Sequence, residues 1–325
     1  MKSRTVIITG ANSGIGKAAA IRFASEGHIV IMACRDSERS RLAFKEVRQT
    51  SGSKNVFPEF VDMGSFASIR SFCSSFKKTY GSLDILIHNA AYVSHGAPYQ
   101  LSQDGIEITF ATNTAGPFLM TMLLKELLAR SDDPRILHAG SNIIKHFFNP
   151  KKELDFSDLQ GEAGKNRNHS VYITYRNSKM ALLMLTRRMA GEFKESGIKV
   201  NYLQINGATM SKETLNKMKP NWRAIARIQN LFFRPPEFTA NCYYEICTSE
   251  AFRNVTGQAI NHRLEIMQPA AEKPGLLMDI RQSLGAGYIP FYARRDEVIA
   301  KVWDKCMELT EMALTEQAEP EPDVP

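Results

Sequence analysis

Along the first two-thirds of the chain, the spacing of the hydrophobic residues switches repeatedly between two patterns. Short apolar runs of strand length are separated by longer segments in which apolar residues recur every three to four positions, as on one face of a helix. The strands predicted from these runs are Thr5–Thr9, His28–Ala33, Val56–Val61, Leu83–Ile87, Arg135–Ala139, Ile198–Gln204 and Gln258–Asn261. The helices predicted between them are Gly14–Glu26, Glu38–Gln49, Phe66–Tyr80, Ala115–Arg130 and Tyr175–Lys194.

Strand and helix in regular succession predict right-handed crossovers and a parallel sheet, and so an α/β fold in one domain over residues 1–315. Two regions break the succession. Residues 142–174 are too long for an ordinary strand-to-helix connection. Residues 266–315 end in an amphipathic helix, and we interpret both regions as a cap over the substrate. Residues 316–325 are acidic and rich in proline, which is typical of a disordered tail.

The amphipathic character of that last helix depends on four apolar residues that share one face. They are Val298, Val302, Cys306 and Leu309.

Composition and charge exclude several classes of function. The chain has 41 basic and 34 acidic residues, a net charge of +7, and this charge is too dispersed to indicate a nucleic-acid partner. Its five cysteines form no CxxC pair and its seven histidines no HExxH motif, so we expect a reducing compartment and no metal site. Without an apolar run of transmembrane length, or an apolar segment before "TVIITG", we expect no membrane span, no signal peptide and a cytoplasmic location.

A glycine loop follows the first strand and opens the first helix. In "VIITGANSGIGKAAAIRFA" the glycines are Gly10, Gly14 and Gly16. Glycines at such a junction permit a tight turn and let the backbone approach a pyrophosphate, which the helix N-terminus binds. No Lys-Ser or Lys-Thr pair follows the loop, so the pattern indicates a dinucleotide rather than ATP.

The second strand ends in "IMACRDSE", which bears on the choice of dinucleotide. A carboxylate at this place selects a free ribose 2′-hydroxyl, and an arginine selects a 2′-phosphate. Asp36 precedes a helix and has an alternative role as its cap. Arg35 has no such alternative, so we predict NADP(H).

Two tyrosine–cation pairs at helical spacing lie in "VYITYRNSKMALL", namely Tyr172–Arg176 and Tyr175–Lys179. An ammonium near a phenol lowers the phenol pKa and suits it to proton transfer, whereas arginine does not deprotonate and cannot join a proton relay. We therefore predict Tyr175 as the general acid and base. Ser141 follows the fifth strand, where its hydroxyl can hydrogen-bond a substrate oxygen.

These motifs occur in the order found in the short-chain dehydrogenase/reductase family, which the chain resembles from about Thr5 to Ile266. The matching segments are "TGANSGIG", "VDM", "ILIHNAA", "TNTAG", "RILHAGS", "YRNSK", "QINGATM" and "NVTGQAIN". His88, Ala91 and Asn206 depart from the family pattern. Within the family the chain looks most like the retinol dehydrogenase and WW-domain oxidoreductase branch, with some likeness to light-dependent protochlorophyllide reductase.

The resemblance implies a Rossmann-like, doubly wound sheet of seven strands in the order 3-2-1-4-5-6-7. It implies Asn113, Ser141, Tyr175 and Lys179 as the catalytic set, with Asn113 holding a water that links Lys179 to solvent. The implied cofactor contacts are Gly10, Asn12, Ser13, Gly14, Ile15, Gly16, Arg35, Asp62, Met63, Asn89, Ala90, Tyr175, Lys179, Gly207 and Thr209.

The substrate prediction is a bulky, mostly apolar carbonyl or alcohol. The residues predicted to border it are Tyr92, Phe147, Phe148, Tyr172 and Met210. A C=C reductase and a catalytically inactive NADP-binding partner protein are the alternatives. Family habit suggests a homodimer or homotetramer.

Overall fold

Seven parallel strands form the centre of the fold, in the order β3-β2-β1-β4-β5-β6-β7, as predicted. The computed structural model describes residues 2–93, 97–149, 151–156, 159, 170–210, 215–216, 220–230, 233–273 and 275–315. The strands are β1 Thr5–Thr9, β2 Ile29–Cys34, β3 Val56–Phe60, β4 Ile85–His88, β5 Arg135–Ala139, β6 Lys199–Leu203 and β7 Ala259–Ile260.

Helices cover both faces of this sheet. They are α1 Gly14–Ser25, α2 Glu38–Ser51, α3 Phe66–Thr79, α4 Ile108–Phe110, α5 Gly116–Leu128, α6 Val171–Glu192, α7 Pro220–Asn230, α8 Pro236–Thr248, α9 Leu276–Leu284 and α10 Asp296–Thr315. A π-helical turn, Ala111–Ala115, joins α4 to α5.

The sheet separates two hydrophobic cores, and β1 shows how its strands supply both. Ile7 belongs to the core that includes α3, α5 and α6, whereas Val6 and Ile8 belong to the core that includes α1, α2 and α8. Because both faces of each central strand are buried, the strands are continuous apolar runs rather than alternating ones. This burial explains why the strands could be located from the sequence.

Two helix starts differ from the prediction. α6 begins at Val171, one turn before the predicted Tyr175, because buried Val171 and Thr174 pack into the fold although the segment "VYIT" favours strands. Helical structure before α5 begins at Ile108 and passes through the π turn, whereas the sequence predicted a start at Ala115. A π turn has no simple sequence signature and often marks a functional site.

The two long regions contact each other at one edge of the sheet. After β5 the chain forms the 3₁₀ helix Asn142–Phe148, and the second region contains the short parallel strands β8 Gln268–Pro269 and β9 Tyr288–Ile289. The ring of Phe147 stacks on Tyr292 with centroids 5.7 Å apart. A cavity of about 870 Å³ lies between the regions.

The last helix, α10, packs on α6 as an amphipathic helix, which confirms its predicted apolar face. Val298, Val302 and Cys306 are buried, and Leu309 packs against the same core. The predicted disordered tail, 316–325, and residues 157–158 and 160–169 of the first long region lie outside the described residues. The role of the two regions as a cap stays a prediction.

Candidate active site

Most predicted cofactor and catalytic residues lie at the carboxyl ends of β1, β4, β5 and β6. In an open parallel sheet, ligands bind beyond these strand ends. The glycine loop follows β1, Asn89 follows β4, Ser141 follows β5 and Gly207 follows β6. Tyr175 and Lys179 reach the same edge from α6.

Two glycines of the loop are required by its geometry. Gly10 has a φ of +65°, and a Cβ there would lie 2.9 Å from Ala90 Cα. A Cβ on Gly16 would lie 2.5 Å from the carbonyl oxygen of Gly10, so only glycine lets α1 approach the loop this closely. Gly14 also has a φ that favours glycine, +51°, but a Cβ there would have no atom within 4 Å, which leaves open space in front of α1.

The N-terminus of α1 suits an anionic group. Ser13 occupies the N-cap position without capping through its side chain, and the first turn has no acidic residue. The first N–H groups of the helix therefore have no side-chain partner at the cap, and the helix dipole favours negative charge there. The open space at Gly14 and these groups fit the pyrophosphate of a dinucleotide.

Hydrogen bonds from β4 hold the loop in place. Thr9 Oγ1 accepts from the backbone N–H groups of Asn89 and Ala90, each at 3.0 Å. Asn89 Nδ2 donates to the carbonyl oxygen of Thr9 at 2.9 Å, and Asn89 Oδ1 accepts from the hydroxyl of Tyr243 at 3.1 Å. The Asn89 side chain is thus a brace for the loop. Thr9 begins the motif "TGANSGIG" but was not predicted as a contact, and Tyr243 lies outside the motifs, so neither brace was identified from the sequence.

The end of β2 has no unpaired carboxylate. Cys34 is buried at the place where a ribose-binding acid would stand, and burial raises the pKa of its thiol to about 11. Asp36 pairs with Arg41 at 2.9 Å. The predicted cap role of Asp36 is wrong, because Ser37 is the N-cap of α2 and accepts from the N–H of Ser40 at 3.2 Å. Arg35 is exposed at the strand tip.

Residues predicted near the adenine are partly committed to local structure. Asp62 Oδ1 accepts from the N–H of Gly64 at 2.9 Å, and Met63 is buried in the core. On the other side of the loop, the side chain of Asn12 donates to Ser40 Oγ at 3.0 Å. Ile15 packs against the core that contains α1. Their contacts with a cofactor stay predictions.

Ser141, Tyr175 and Lys179 come together as the sequence predicted. The side chain of Ser141 lies close enough to the Tyr175 phenol to affect its pKa. The ammonium of Lys179 lies 5.9 Å from the ring centroid of Tyr175 and donates to the carbonyl oxygen of Ala139 at 2.8 Å. Lys179 is only 2% exposed.

Burial dominates the pKa values of this group. Burial lowers the pKa of Lys179 to about 8. It also raises the pKa of Tyr175, and the side chain of Ser141 opposes that rise only in part. The sequence predicted a phenol pKa lowered by Lys179, so the direction here is opposite, because desolvation outweighs the neighbouring ammonium. The phenol of Tyr175 therefore stays protonated at neutral pH.

Asn113 lies in the π turn, and its side chain is fully occupied. Its Oδ1 accepts from the N–H of Tyr92 at 2.7 Å, and its Nδ2 donates to the carbonyl oxygen of Tyr92 at 3.0 Å and to Ser178 Oγ at 3.2 Å. These bonds tie α6 to the segment after β4. The predicted water-binding role of Asn113 therefore requires its backbone rather than its side chain.

A second tyrosine, Tyr202, positions Ser141 and was missed by the sequence analysis. Its hydroxyl accepts from the N–H of Ser141 at 3.0 Å, and its ring fills the space beside Gly140. Ser141 Oγ in turn accepts from the N–H of Ile143 at 3.2 Å. The serine hydroxyl is thus fixed at the start of the 3₁₀ helix.

The predicted substrate-bordering residues fall into different environments. Phe147 is buried in the core and is also one of the residues that line the cavity. Phe148, Tyr92 and Met210 are half-buried. Tyr172 is exposed and hydrogen-bonds to His146.

Residues after β6 are held by the segment that follows α7. Gly207 has a φ of +119°, and a Cβ there would lie 2.6 Å from the ring of Phe233. The N–H of Thr209 donates to the carbonyl oxygen of Arg234 at 3.0 Å. This arrangement fixes Gly207 and Thr209 in the segment that follows β6, and their contacts with the nicotinamide stay predictions.

Within the residues that the structure describes, no group of three or more His, Cys, Asp or Glu side chains is arranged to hold a metal ion. No helix in the described part of the chain is long and apolar enough to cross a membrane. The oligomeric state and the cytoplasmic location stay predictions.

Comparison with known proteins gives a consistent result. Residues 4–148 match the family model for short chain dehydrogenases. Retinol dehydrogenase 13 of Mus musculus is 31% identical over 78% of this chain and 74% of its own length. Dehydrogenase/reductase SDR family member 13 of Homo sapiens is 28% identical over 99% of this chain and 77% of its own length.

Solved structures share the fold at low identity. A short chain dehydrogenase of Shigella flexneri complexed with NADP has a TM-score of 0.62 at 19% identity, covering 81% of this chain and 98% of its own. Levodione reductase has a TM-score of 0.62 at 18% identity, covering 79% and 95%.

The packing of Tyr202 against Gly140 predicts the effect of a single methyl group. In Gly140→Ala the new Cβ would lie 2.1 Å from the Tyr202 ring, so we expect a loss of roughly 1 to 3 kcal/mol in the free energy of unfolding. Denaturant unfolding measures it. The control is Gly191→Ala near the end of α6, where a Cβ meets no atom within 4 Å and the change should be neutral or stabilising. Equal losses in the two variants would contradict the packing argument.

Proposed function

The chain belongs to the short-chain dehydrogenase family, and from that premise we propose that it is an NADP(H)-dependent reductase of a carbonyl group on a bulky substrate. The observation that carries the proposal is the convergence of Ser141, Tyr175 and Lys179 beside the glycine loop. Within the family, this placement at the carboxyl edge of the sheet is the arrangement expected of a dehydrogenase site.

The residues at the loop fit NADP(H). The N-terminus of α1 and the space at Gly14 receive the pyrophosphate, and Arg35 faces the ribose 2′-phosphate. Buried Cys34 and the paired Asp36 leave no carboxylate there to repel that phosphate. Solved relatives of the same fold contain NADP and NADPH, which supports this choice. The cofactor supplies the hydride, and the chain supplies orientation and the proton.

The side chains of Ser141, Tyr175 and Lys179 have separate roles in the reaction. Ser141 hydrogen-bonds the carbonyl oxygen of the substrate, and Tyr175 donates its phenolic proton to the same oxygen as negative charge develops there. Lys179, when charged, stabilises the phenolate that remains on Tyr175. Lys179 then gives a proton to that phenolate, and a water on the backbone of Asn113 replaces the lysine proton from solvent.

The pKa directions favour carbonyl reduction over alcohol oxidation. A phenol with a raised pKa is protonated at neutral pH and ready to donate, whereas oxidation requires the phenolate. The unliganded site is therefore in the protonation state that carbonyl reduction requires.

The size of the cavity supports a bulky substrate. The cavity of about 870 Å³ begins at the 3₁₀ helix that follows Ser141, and its lining combines the aromatic residues Phe147, Phe148, Phe291 and Tyr292 with charged residues such as Lys145, Lys273 and Arg295. Several relatives are named retinol dehydrogenases, and retinol is a large and mostly apolar alcohol. A large apolar carbonyl compound is the substrate class that we propose.

Replacing the proposed proton donor tests the reaction directly. In Tyr175→Phe we expect NADPH-linked carbonyl reduction to fall by about 10² to 10⁴ fold, because the general acid is lost. NADPH binding, followed by nucleotide fluorescence, should change little. Tyr172→Phe, one turn earlier on α6, is the matched control and should keep its activity. Undiminished turnover in Tyr175→Phe would remove this tyrosine from the mechanism.

Arg35 should decide between the two dinucleotides. In Arg35→Ala we expect the Kd for NADPH to rise by roughly ten- to a hundredfold, the value of a charge-assisted contact, while the Kd for NADH stays nearly constant. The control is Arg48→Ala in the last turn of α2, the helix that follows Arg35 in the chain. An equal loss for the two dinucleotides would contradict a 2′-phosphate role.

The pKa of Lys179 predicts the pH dependence of reduction. Below about pH 8 the ammonium is present and stabilises the Tyr175 phenolate, so kcat/KM should be highest there and fall as the pH rises through about 8. This fall is the descending limb of the kcat/KM profile, and steady-state rates from about pH 6 to about pH 10 measure it. In Lys179→Arg, whose guanidinium does not deprotonate, the residual activity should show no such limb. A profile that rises through pH 8 would contradict the assigned charge state.

A further inference from the structure

Two buried histidines lie side by side near Lys179. His88 ends β4 and His138 lies in β5, where the two residues are partners in the strand register. Their ring centroids are 5.2 Å apart, and their side chains are 1% and 0% exposed. The mechanism proposed above uses neither of them.

The hydrogen bonds around His138 assign its tautomer. His138 Nδ1 lies 2.8 Å from Thr186 Oγ1, and that hydroxyl donates its single hydrogen to the carbonyl oxygen of Leu182 at 2.8 Å. Thr186 must therefore accept from His138, so Nδ1 carries the proton and Nε2 carries the lone pair. Nε2 is buried and has no hydrogen-bond partner among the described residues.

His88 has a similar unpaired atom. Its Nε2 lies 2.8 Å from Thr121 Oγ1, while its Nδ1 is buried with no partner in the described part of the chain. Buried polar atoms are nearly always paired, with protein or with an ordered water. Two unpaired imidazole nitrogens on adjacent strands therefore indicate a shared polar partner at the edges of the two rings, which an ordered water can supply.

Lys179 is the complementary donor. Its ammonium has three hydrogens, and within the described residues one hydrogen bond is present, to Ala139, the residue after His138. The charge of Lys179 lowers the pKa of both histidines, with burial as the larger cause, so the ammonium lies within electrostatic reach of the pair. Since the pKa of His138 falls to about 3, this ring is neutral and presents its lone pair.

We propose that His138 is a positioning residue for Lys179: its Nε2 accepts a hydrogen bond from the ammonium through one buried water shared with His88. This proposal rests on the proposed catalytic role of Lys179. The acceptor stabilises the charged lysine and so opposes the desolvation that burial imposes. Thr186 is part of the arrangement, because it holds the tautomer that turns the lone pair towards the lysine.

Among the described residues, no carboxylate supplies the same stabilisation. The titratable groups around Lys179 are His88 on β4, His138 on β5 and Tyr175 on its own helix, with Tyr202 from β6 beside Tyr175, and burial is the single cause of the shifted lysine pKa. Near neutral pH these neighbours are uncharged. The charged form of the Lys179 ammonium is therefore stabilised by the orientation of the neutral dipoles around it.

The test replaces the acceptor and follows the titration of Lys179. In His138→Leu the ammonium loses its acceptor, so its pKa should fall and the descending limb of the kcat/KM profile should move to lower pH by about one unit, the size of one hydrogen bond to a charged group. His138→Gln, which keeps an amide acceptor, should move the limb back towards its original place. Thr186→Val should shift it in the same direction as His138→Leu.

The control separates positioning from simple loss of stability. Leu137→Ala, next to His138 on β5 and in the opposite core, should destabilise the fold without moving the limb. If His138→Leu lowers the unfolding temperature but leaves the limb unchanged, the histidine is structural and the proposal is overturned. A shift of the limb in Leu137→Ala of the same size would overturn it as well.

Two readouts do not need turnover. Imidazole ¹⁵N NMR should show His138 as the neutral tautomer protonated at Nδ1, and an Nε2-protonated ring would overturn the proposal. Side-chain NMR of Lys179 should give a lower pKa in His138→Leu than in the unchanged protein. If that shift is present in a protein that reduces no carbonyl, the proposed function fails while the histidine proposal stands.

Discussion

The burial of one ammonium group is the constraint on which the rest of the site depends. Lys179 reaches from α6 to the edge of the sheet and is 2% exposed, with a backbone carbonyl as its hydrogen-bond acceptor among the described residues. An isolated charge is costly in such surroundings, and its pKa falls to about 8 as a result. A lysine whose pKa lies close to neutral pH is one that can exchange protons. The same desolvation raises the pKa of Tyr175 and keeps its phenol protonated. Burial therefore shifts the pKa values of both residues of the pair.

The rigidity of the surrounding frame follows from short polar contacts between strand ends. Thr9, Asn89 and Tyr243 join the glycine loop to β4 and α8, and Tyr202 joins β6 to Ser141. These bonds join the ends of parallel strands that are buried on both faces. The rigid sheet therefore fixes the positions of the reacting side chains. Reacting groups held on such rigid elements keep their geometry better than groups on free loops.

The fold could be predicted because strands that are buried on both faces are visible in the sequence as short apolar runs. Continuous apolar runs such as Thr5–Thr9 and the glycine loop located the sheet and its ligand-binding edge. The start of α6 could not be placed, since "VYIT" favours a strand by local preference and becomes helical through the burial of Val171 and Thr174. The spacing of Tyr175 and Lys179 identified the pair but not the direction of the phenol pKa. That direction depends on desolvation, which exists only after the chain has packed.

The departures at His88, Ala91 and Asn206 bear on whether the site is maintained for catalysis. Here Asn206 Nδ2 lies 2.9 Å from His262 Nδ1, and Gln204 Nε2 donates to Asn206 Oδ1 at 3.3 Å. His88 is bonded to Thr121, and Ala91 is exposed with no left-handed φ to strain it.

Each departure therefore has a place in a connected local structure. His88 and Asn206 have hydrogen-bond partners, Thr121 and His262, on elements distant in the chain. The altered residues therefore have bonds of their own and leave in place the contacts that hold Ser141 and Lys179.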